Sequence, residues 1–225
     1  MAPALWHIDT WIFDLDNTLY PPECALFDLI DEKMRAYIAA LLDIPELEAH
    51  LIQKTFFRDH GTTLAGLIAH HGVDPHHFLD FVHDIDLTRL AMAPRLRGAI
   101  SALPGRKIIF TNADADYATR VLAALEMEDL FSDIVDIHHM GYTPKPQAPA
   151  YATLMERTAI DPARSLFVED MARNLAPAKA LGMTTVWVNN GSEYGCAGAD
   201  HLFIDLEIPH LAGWLSAPYL IERAT

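Results

Sequence analysis

The chain reads as an α/β protein, a doubly wound parallel sheet carrying an inserted α-helical unit, and three observations predict it. From Arg95 onward short apolar, β-prone runs alternate with helix-compatible segments, the pattern of a parallel sheet with helices on both faces. One further run, Trp11-Ile12-Phe13, stands far upstream and breaks off into two acids one residue apart, Asp14 and Asp16. Between Tyr20 and about Met92 the apolar period changes to three- and four-residue steps, with Leu26, Ile30, Met34, Ile38 and Leu41 in one series, which marks a helical insertion.

Taken in order, the first strand ends at Asp14, and a strand leaving a buried sheet delivers its last side chains to the crevice where open α/β folds bind ligands. Within the insertion, Pro45 and Asp74-Pro75 are helix starts, and Gly61 and Gly72 are helix ends. Then follow a strand near Lys107 to Phe110, a helix from Tyr117 to Leu125, a strand near Ile134 to Ile137 and a helix from Ala150 to Arg157. A strand from Ser165 to Val168, a helix from Ala172 to Leu181 and a strand from Thr184 to Val188 complete the alternation. The tail predicts a strand at His201 to Ile204 and a short helix near Ile208 to Leu215. No internal repeat or low-complexity linker interrupts the series.

Composition narrows the class of partner. At 225 residues, 51% hydrophobic and 21% charged, the chain can bury an α/β core and a modest second unit. Sixteen basic against 31 acidic residues give a net charge of −15, which repels polyanions and argues against a nucleic-acid polymer as partner. Cys24 and Cys196 lie far apart, so neither a zinc site nor a disulfide framework is expected. With no long apolar span and no basic stretch before an apolar core at the N-terminus, a cytoplasmic protein without membrane partners is expected. The charge suits a monomer or a homodimer.

Four short motifs carry chemistry. Asp14 and Asp16 at one strand end suit paired work, one carboxylate as nucleophile or metal ligand and the other as proton donor; Asp16-Asn17-Thr18 alone also suits a turn or helix cap. Thr111 and Asn112 follow a second strand, where a hydroxyl can hold a phosphate oxygen. Lys145 lies in a loop braced by Pro144 and Pro146. Glu169 and Asp170 end another strand, with Asn174 four residues past Asp170. Acids from two strand ends can share one magnesium ion, which takes oxygen ligands and keeps waters or phosphate in its shell. The pairs His70-His71, His76-His77 and His138-His139 do not read as metal sites, because adjacent histidines on a helix point in different directions.

In this order, Asp-x-Asp-x-Thr, Thr-Asn, Lys and Glu-Asp-(x)3-Asn resemble the four motifs of the haloacid dehalogenase superfamily, with its Rossmann-like core. Phe13 to Pro21 and Phe57 to Leu67 more narrowly resemble its pyrimidine 5′-nucleotidase branch. The resemblance implies a core of residues 1–19 and 93–225 and a helical cap of residues 20–92, hinged near Tyr20 to Pro22 and Ala91 to Pro94. It implies a magnesium-dependent phosphomonoesterase acting on a small phosphorylated metabolite, a pyrimidine nucleoside 5′-monophosphate. A sugar-phosphate or phosphoglycolate-type phosphatase, a phosphomutase and a non-catalytic phospholigand module are the alternatives.

Under the same resemblance Asp14 is the nucleophile and Asp16 the general acid and base. Thr111, Asn112 and Lys145 bind the phosphoryl group. Magnesium is held by Asp14, the carbonyl of Asp16, Asp170, and Glu169 directly or through water. Asn174 and Thr18 stand behind these ligands, and Arg58, His60 and Thr63 face the base or sugar from the cap.

Overall fold

The computed structural model describes residues 5–216. Six strands, β1 (Thr10–Phe13), β2 (Arg106–Phe110), β3 (Asp133–Val135), β4 (Ser165–Glu169), β5 (Thr184–Val188) and β6 (Leu206–Ile208), form one all-parallel sheet in the order β3-β2-β1-β4-β5-β6. The chain winds outward from β1 in both directions, so the strand order reverses at β1. Every residue of β1 and β4 is buried, as the continuous apolar runs demand of strands covered on both faces. Phe13 is in register with Ile109 on one side and Val168 on the other. Asp14, Thr111 and Glu169-Asp170 therefore emerge together at the carboxyl edge of the sheet.

Helices α1 (Leu26–Leu42), α2 (Glu46–His60), α3 (Thr63–His71) and α4 (Pro75–His83) make up the insertion and pack on one another. Their limits have local causes. Pro45 precedes α2, the Asp74 carboxylate accepts from the His76 amide to cap α4, and Gly61 and Gly72 terminate α2 and α3 with positive φ. α2 and α3 meet at Gly66, where a Cβ would lie 2.4 Å from the Phe56 side chain.

Helices α5 (Pro94–Ala102), α6 (Ala115–Ala124), α7 (Ala148–Thr158), α8 (Leu175–Ala180), α9 (Glu193–Cys196) and α10 (Leu211–Leu215) complete the sheet layers. Two expectations are corrected. The segment Ala172 to Leu181 opens with a 3-10 turn at Ala172–Asn174 before α8, because the Asn174 and Leu175 amides bond to the carbonyls three residues back, Met171 and Ala172. The tail strand is Leu206–Ile208, whereas His201 to Ile204 is turn; Asp205 accepts from Thr185 and aligns the residues after it, which then pair with β5. Among the described residues no helix is long and apolar enough to cross a membrane.

Candidate active site

At the carboxyl edge of β1, β2 and β4, a chamber of about 220 Å³ lies between the sheet and the helical insertion. Its floor is Lys145, Asp14, Glu169 and Asp170. Lys145 is 1% exposed, and its ammonium donates to Asp14 at 2.8 Å, to Glu169 at 2.7 Å and to the Phe110 carbonyl at 2.7 Å. All three donors are thus committed. The loop that aims it is fixed by Asn112, whose side-chain carbonyl accepts from the Lys145 amide while its amide donates to the Lys145 carbonyl. Asn112, expected among the phosphate-binding residues, thus engages the lysine loop with its side chain.

Carboxylate oxygens of Asp14, Glu169 and Asp170 all lie within 4.8 Å of one another, and all three residues are buried. Burial, then the charge of Glu169, pushes the Asp14 carboxyl up to about 7 despite Lys145. Burial and the charges of Glu169 and Asp14 likewise hold Asp170 well above the usual carboxylate range. Lys145 is lowered by burial but raised on balance by Asp14 and Glu169. Fully ionised, three carboxylates against one ammonium leave a deficit of two positive charges, which a divalent cation matches. The donor set therefore fits such an ion. Glu169 and Asp14 each have both oxygens engaged, Glu169 by Lys145 and the Met171 amide, Asp14 by Lys145 and the Thr18 hydroxyl, whereas Asp170 is the freest of the three.

Asp16 sits beside this cluster in a different environment. Tyr20 and Tyr117 both donate their hydroxyls to its Oδ1, the latter at 3.0 Å. Burial raises its pKa, against the lowering effect of these hydrogen bonds. Neither tyrosine was foreseen as a site residue; Tyr20 lies within the first motif, four residues after Asp16, and that spacing was the available signal. Thr18 donates to Asp14 at 3.1 Å. Thr111 lines the chamber and its hydroxyl accepts from the Ala113 amide at 3.0 Å. Asn174 is buried at the chamber wall with Oδ1 unpaired, and its carbonyl receives the Tyr151 hydroxyl.

The opposite wall is apolar and comes from the insertion, with Phe27, Phe57 and Phe78 among its residues. Gln53, 1% exposed, lines it too and donates to Asp31 at 2.8 Å, while its own side-chain oxygen is buried without a partner. Thr63 also lines this wall, its hydroxyl turned to the Gln53 carbonyl at 3.5 Å. Arg58 and His60 do not line it, a correction. The Arg58 side chain is 70% exposed and pairs with Asp59 at 2.7 Å, because α2 turns Gln53, Lys54 and Phe57 inward and Arg58 outward. His60 is drawn away by His70, at 3.1 Å between the two Nε2 atoms.

The histidines of these pairs meet partners from other segments: His70 meets His60, and His76 stacks on His138 with ring centroids 4.5 Å apart. Sequence reasoning missed His83, which ends α4, lines the chamber and bonds through Nδ1 to Asp114. No local pattern announces it, since its partner lies 31 residues further on.

A family model described as haloacid dehalogenase-like hydrolase matches residues 8–182. Phosphate metabolism protein 8 of Saccharomyces cerevisiae is 23% identical over 189 residues, 77% of this chain; the chain spans 59% of that relative's length. The HAD-hydrolase YfnB from Bacillus subtilis, bound to magnesium, superposes with a TM-score of 0.61 at 16% identity, over 92% of this chain and 96% of that one. L-2-haloacid dehalogenase from Xanthobacter autotrophicus gives 0.57, also at 16% identity, over 92% and 97%. These structural likenesses show the shared fold. With the family model covering most of its length, the chain belongs to the haloacid dehalogenase-like hydrolases.

Proposed function

We propose that this haloacid dehalogenase-like hydrolase is a magnesium-dependent phosphomonoesterase that forms an aspartyl-phosphate on Asp14 and accepts pyrimidine nucleoside 5′-monophosphates. Asp16 is the observation that carries the phosphatase half. A halide leaves without a proton, whereas an alkoxide needs one, and Asp16 is a buried carboxyl whose pKa is raised by desolvation and whose Oδ1 is fixed by two phenols. Its Oδ2 is left to carry the proton.

Asp14 attacks phosphorus as the carboxylate while Lys145 balances its charge and fixes its rotamer. Because all three Lys145 donors already have protein partners, the lysine acts through its field and through the aim of Asp14. Asp16 protonates the departing oxygen and then takes a proton from the water that hydrolyses the phosphoenzyme. Thr111 stands at the end of β2 as a donor for a phosphoryl oxygen. Magnesium, held by the carboxylates of Asp14 and Asp170 and the carbonyl of Asp16, would supply electrostatic screening between the anionic nucleophile and the anionic ester. Residues 20–92 serve in this reading as the cap that encloses the leaving group, the remainder being the core.

The chamber wall supports a nucleoside over a second anion. Three phenylalanines suit a planar base, and the unpaired oxygen of Gln53 awaits an N–H donor. The nearby cation Lys54 is already paired with Asp31 at 2.6 Å, so the wall offers a carboxylate or second phosphate little compensation. Phosphate release from nucleoside monophosphates and from glycolate and sugar phosphates, with and without magnesium, tests the proposal. Magnesium-dependent release favouring UMP or CMP supports it, another preferred ester overturns the nucleotide assignment, and no release from any ester overturns the phosphatase.

A further inference from the structure

We propose that His83 is a positioning residue for the general acid: anchored on Asp114, it holds Tyr117 in the orientation that pins Asp16. The inference rests on the reading of Asp16 as proton donor. His83 is the last residue of α4, whereas Asp114 caps α6, Tyr117 lies in the first turn of α6 and Asp16 follows β1. Its side chain is 8% exposed, and Nδ1 meets Asp114 Oδ2. The other oxygen of Asp114 accepts from the Tyr117 amide at 2.7 Å. One buried carboxylate thus fixes both the imidazole and the first turn of α6.

The imidazole lies flat on the Tyr117 ring, with centroids 4.3 Å apart and planes 14° from parallel. Arg120, one turn along α6, donates to the His83 carbonyl and so holds the end of α4 against the same helix. Tyr117 in turn donates to Asp16 Oδ1 at 3.0 Å, and its hydroxyl is 3.3 Å from that of Tyr20, which donates to the same oxygen. The contacts run without a gap from Asp114 through His83 of the insertion and Tyr117 to the proton donor Asp16.

The phenolic oxygen lies on the Cβ–Cγ axis, so χ1 alone sets its position, and what packs on the ring decides which χ1 the side chain holds. Removing the imidazole opens space on one face of that ring. The hydroxyl is then free to leave Oδ1, and Asp16 gains rotamers that do not face the leaving oxygen. Misplacement of a reacting group by about 1 Å costs on the order of 100-fold in rate. An ester whose leaving group needs no proton is spared.

The experiment is single-turnover phosphoryl transfer from a nucleoside 5′-monophosphate and from 4-nitrophenyl phosphate, for the wild type, His83→Ala, Tyr117→Phe, the double variant and His83→Phe. His83→Ala is expected to slow transfer from the nucleotide about 30-fold and from the aryl ester no more than about threefold. The double variant is expected to be within about twofold of the slower single variant, because both changes break one linkage. His83→Phe keeps an aromatic face on Tyr117 and is expected to return to within about fivefold of wild type.

Losses that multiply in the double variant, equal losses for the two esters, or a His83→Phe protein as slow as His83→Ala would each overturn the proposal. A melting curve for every variant separates these results from misfolding, and if His83→Ala does not fold, His83→Phe with and without Tyr117→Phe decides the matter by the same comparison. A wild-type protein that transfers phosphate from neither ester would overturn the phosphatase reading, and this inference with it.

Discussion

The two walls of the chamber are built on opposite principles. At the sheet edge the acids Asp14, Glu169 and Asp170 crowd around Lys145, whose ammonium has three protein partners within 2.8 Å. On the insertion side the wall is mostly apolar, and its buried amide, Gln53, keeps an acceptor unpaired. Fully ionised, the first arrangement lacks two positive charges; the second lacks one hydrogen bond, to the Gln53 oxygen. Chemistry demands fixed charges, which only backbone register can hold so closely, whereas recognition of a leaving group needs surface and one or two directional contacts.

The contrast can be broken most severely at Asp14. Asp14→Asn is expected to lower phosphate release at least about 1,000-fold with an unchanged circular dichroism spectrum, since the amide keeps the shape and loses the nucleophile. Retained turnover would remove the assignment.

Lys145→Met comes next, because it leaves the buried carboxylates without their counter-charge. Breaking a buried pair in this way costs about 3–5 kcal/mol, readable as a lower urea midpoint, with release reduced about 100-fold or more. A variant as stable as the wild type would show that the acids are neutral in the native protein.

The same cluster predicts a pH dependence. Asp14, pushed up to about 7, binds a proton in the folded state that it has already released in the unfolded state above its ordinary value of 3.8. Its contribution to stability is present at low pH and falls as pH rises from about 4 to 7, and the raised Asp170 and Asp16 act with the same sign. Melting curves in chelator should therefore fall across that window, and magnesium should restore the midpoint most at the upper end. Identical curves with and without magnesium would count against a cation among these acids.

Effects on the insertion side are expected to be smaller and selective. Gln53→Leu should raise KM for a nucleotide about tenfold, the size of one hydrogen bond to a buried acceptor, while leaving a small aryl phosphate within about twofold. Arg58→Ala should leave the ranking of substrates within about twofold, since its guanidinium is exposed and paired with Asp59. A changed ranking would extend the recognition surface past the chamber.

Much of the sheet-edge wall was legible in the sequence, and for a physical reason. Short apolar strands in a parallel sheet all end at one edge, so the residues that follow Phe13, Phe110 and Val168 or Glu169 are brought together whatever the loops do. Asp14, Thr111, Glu169 and Asp170 could be read in this way, and the helix limits at Gly61, Gly72 and Pro75 followed from backbone chemistry at those residues. The insertion side resisted. Arg58 and His60 were expected on the chamber wall, yet helix phase and the neighbour His70 turn them elsewhere.

The sequence by itself determined the parallel sheet, the helical insertion and the charged ends of β1 and β4, because periodicity, strand length and turn residues are local. Only the tertiary structure decided that Asn112 braces the Lys145 loop, that Glu169 is divided between Lys145 and the Met171 amide, and that His83 reaches Asp114 and Tyr117. Each of those contacts joins residues from different elements or depends on a side-chain rotamer. Their partners are selected by packing of whole layers, which no local pattern encodes.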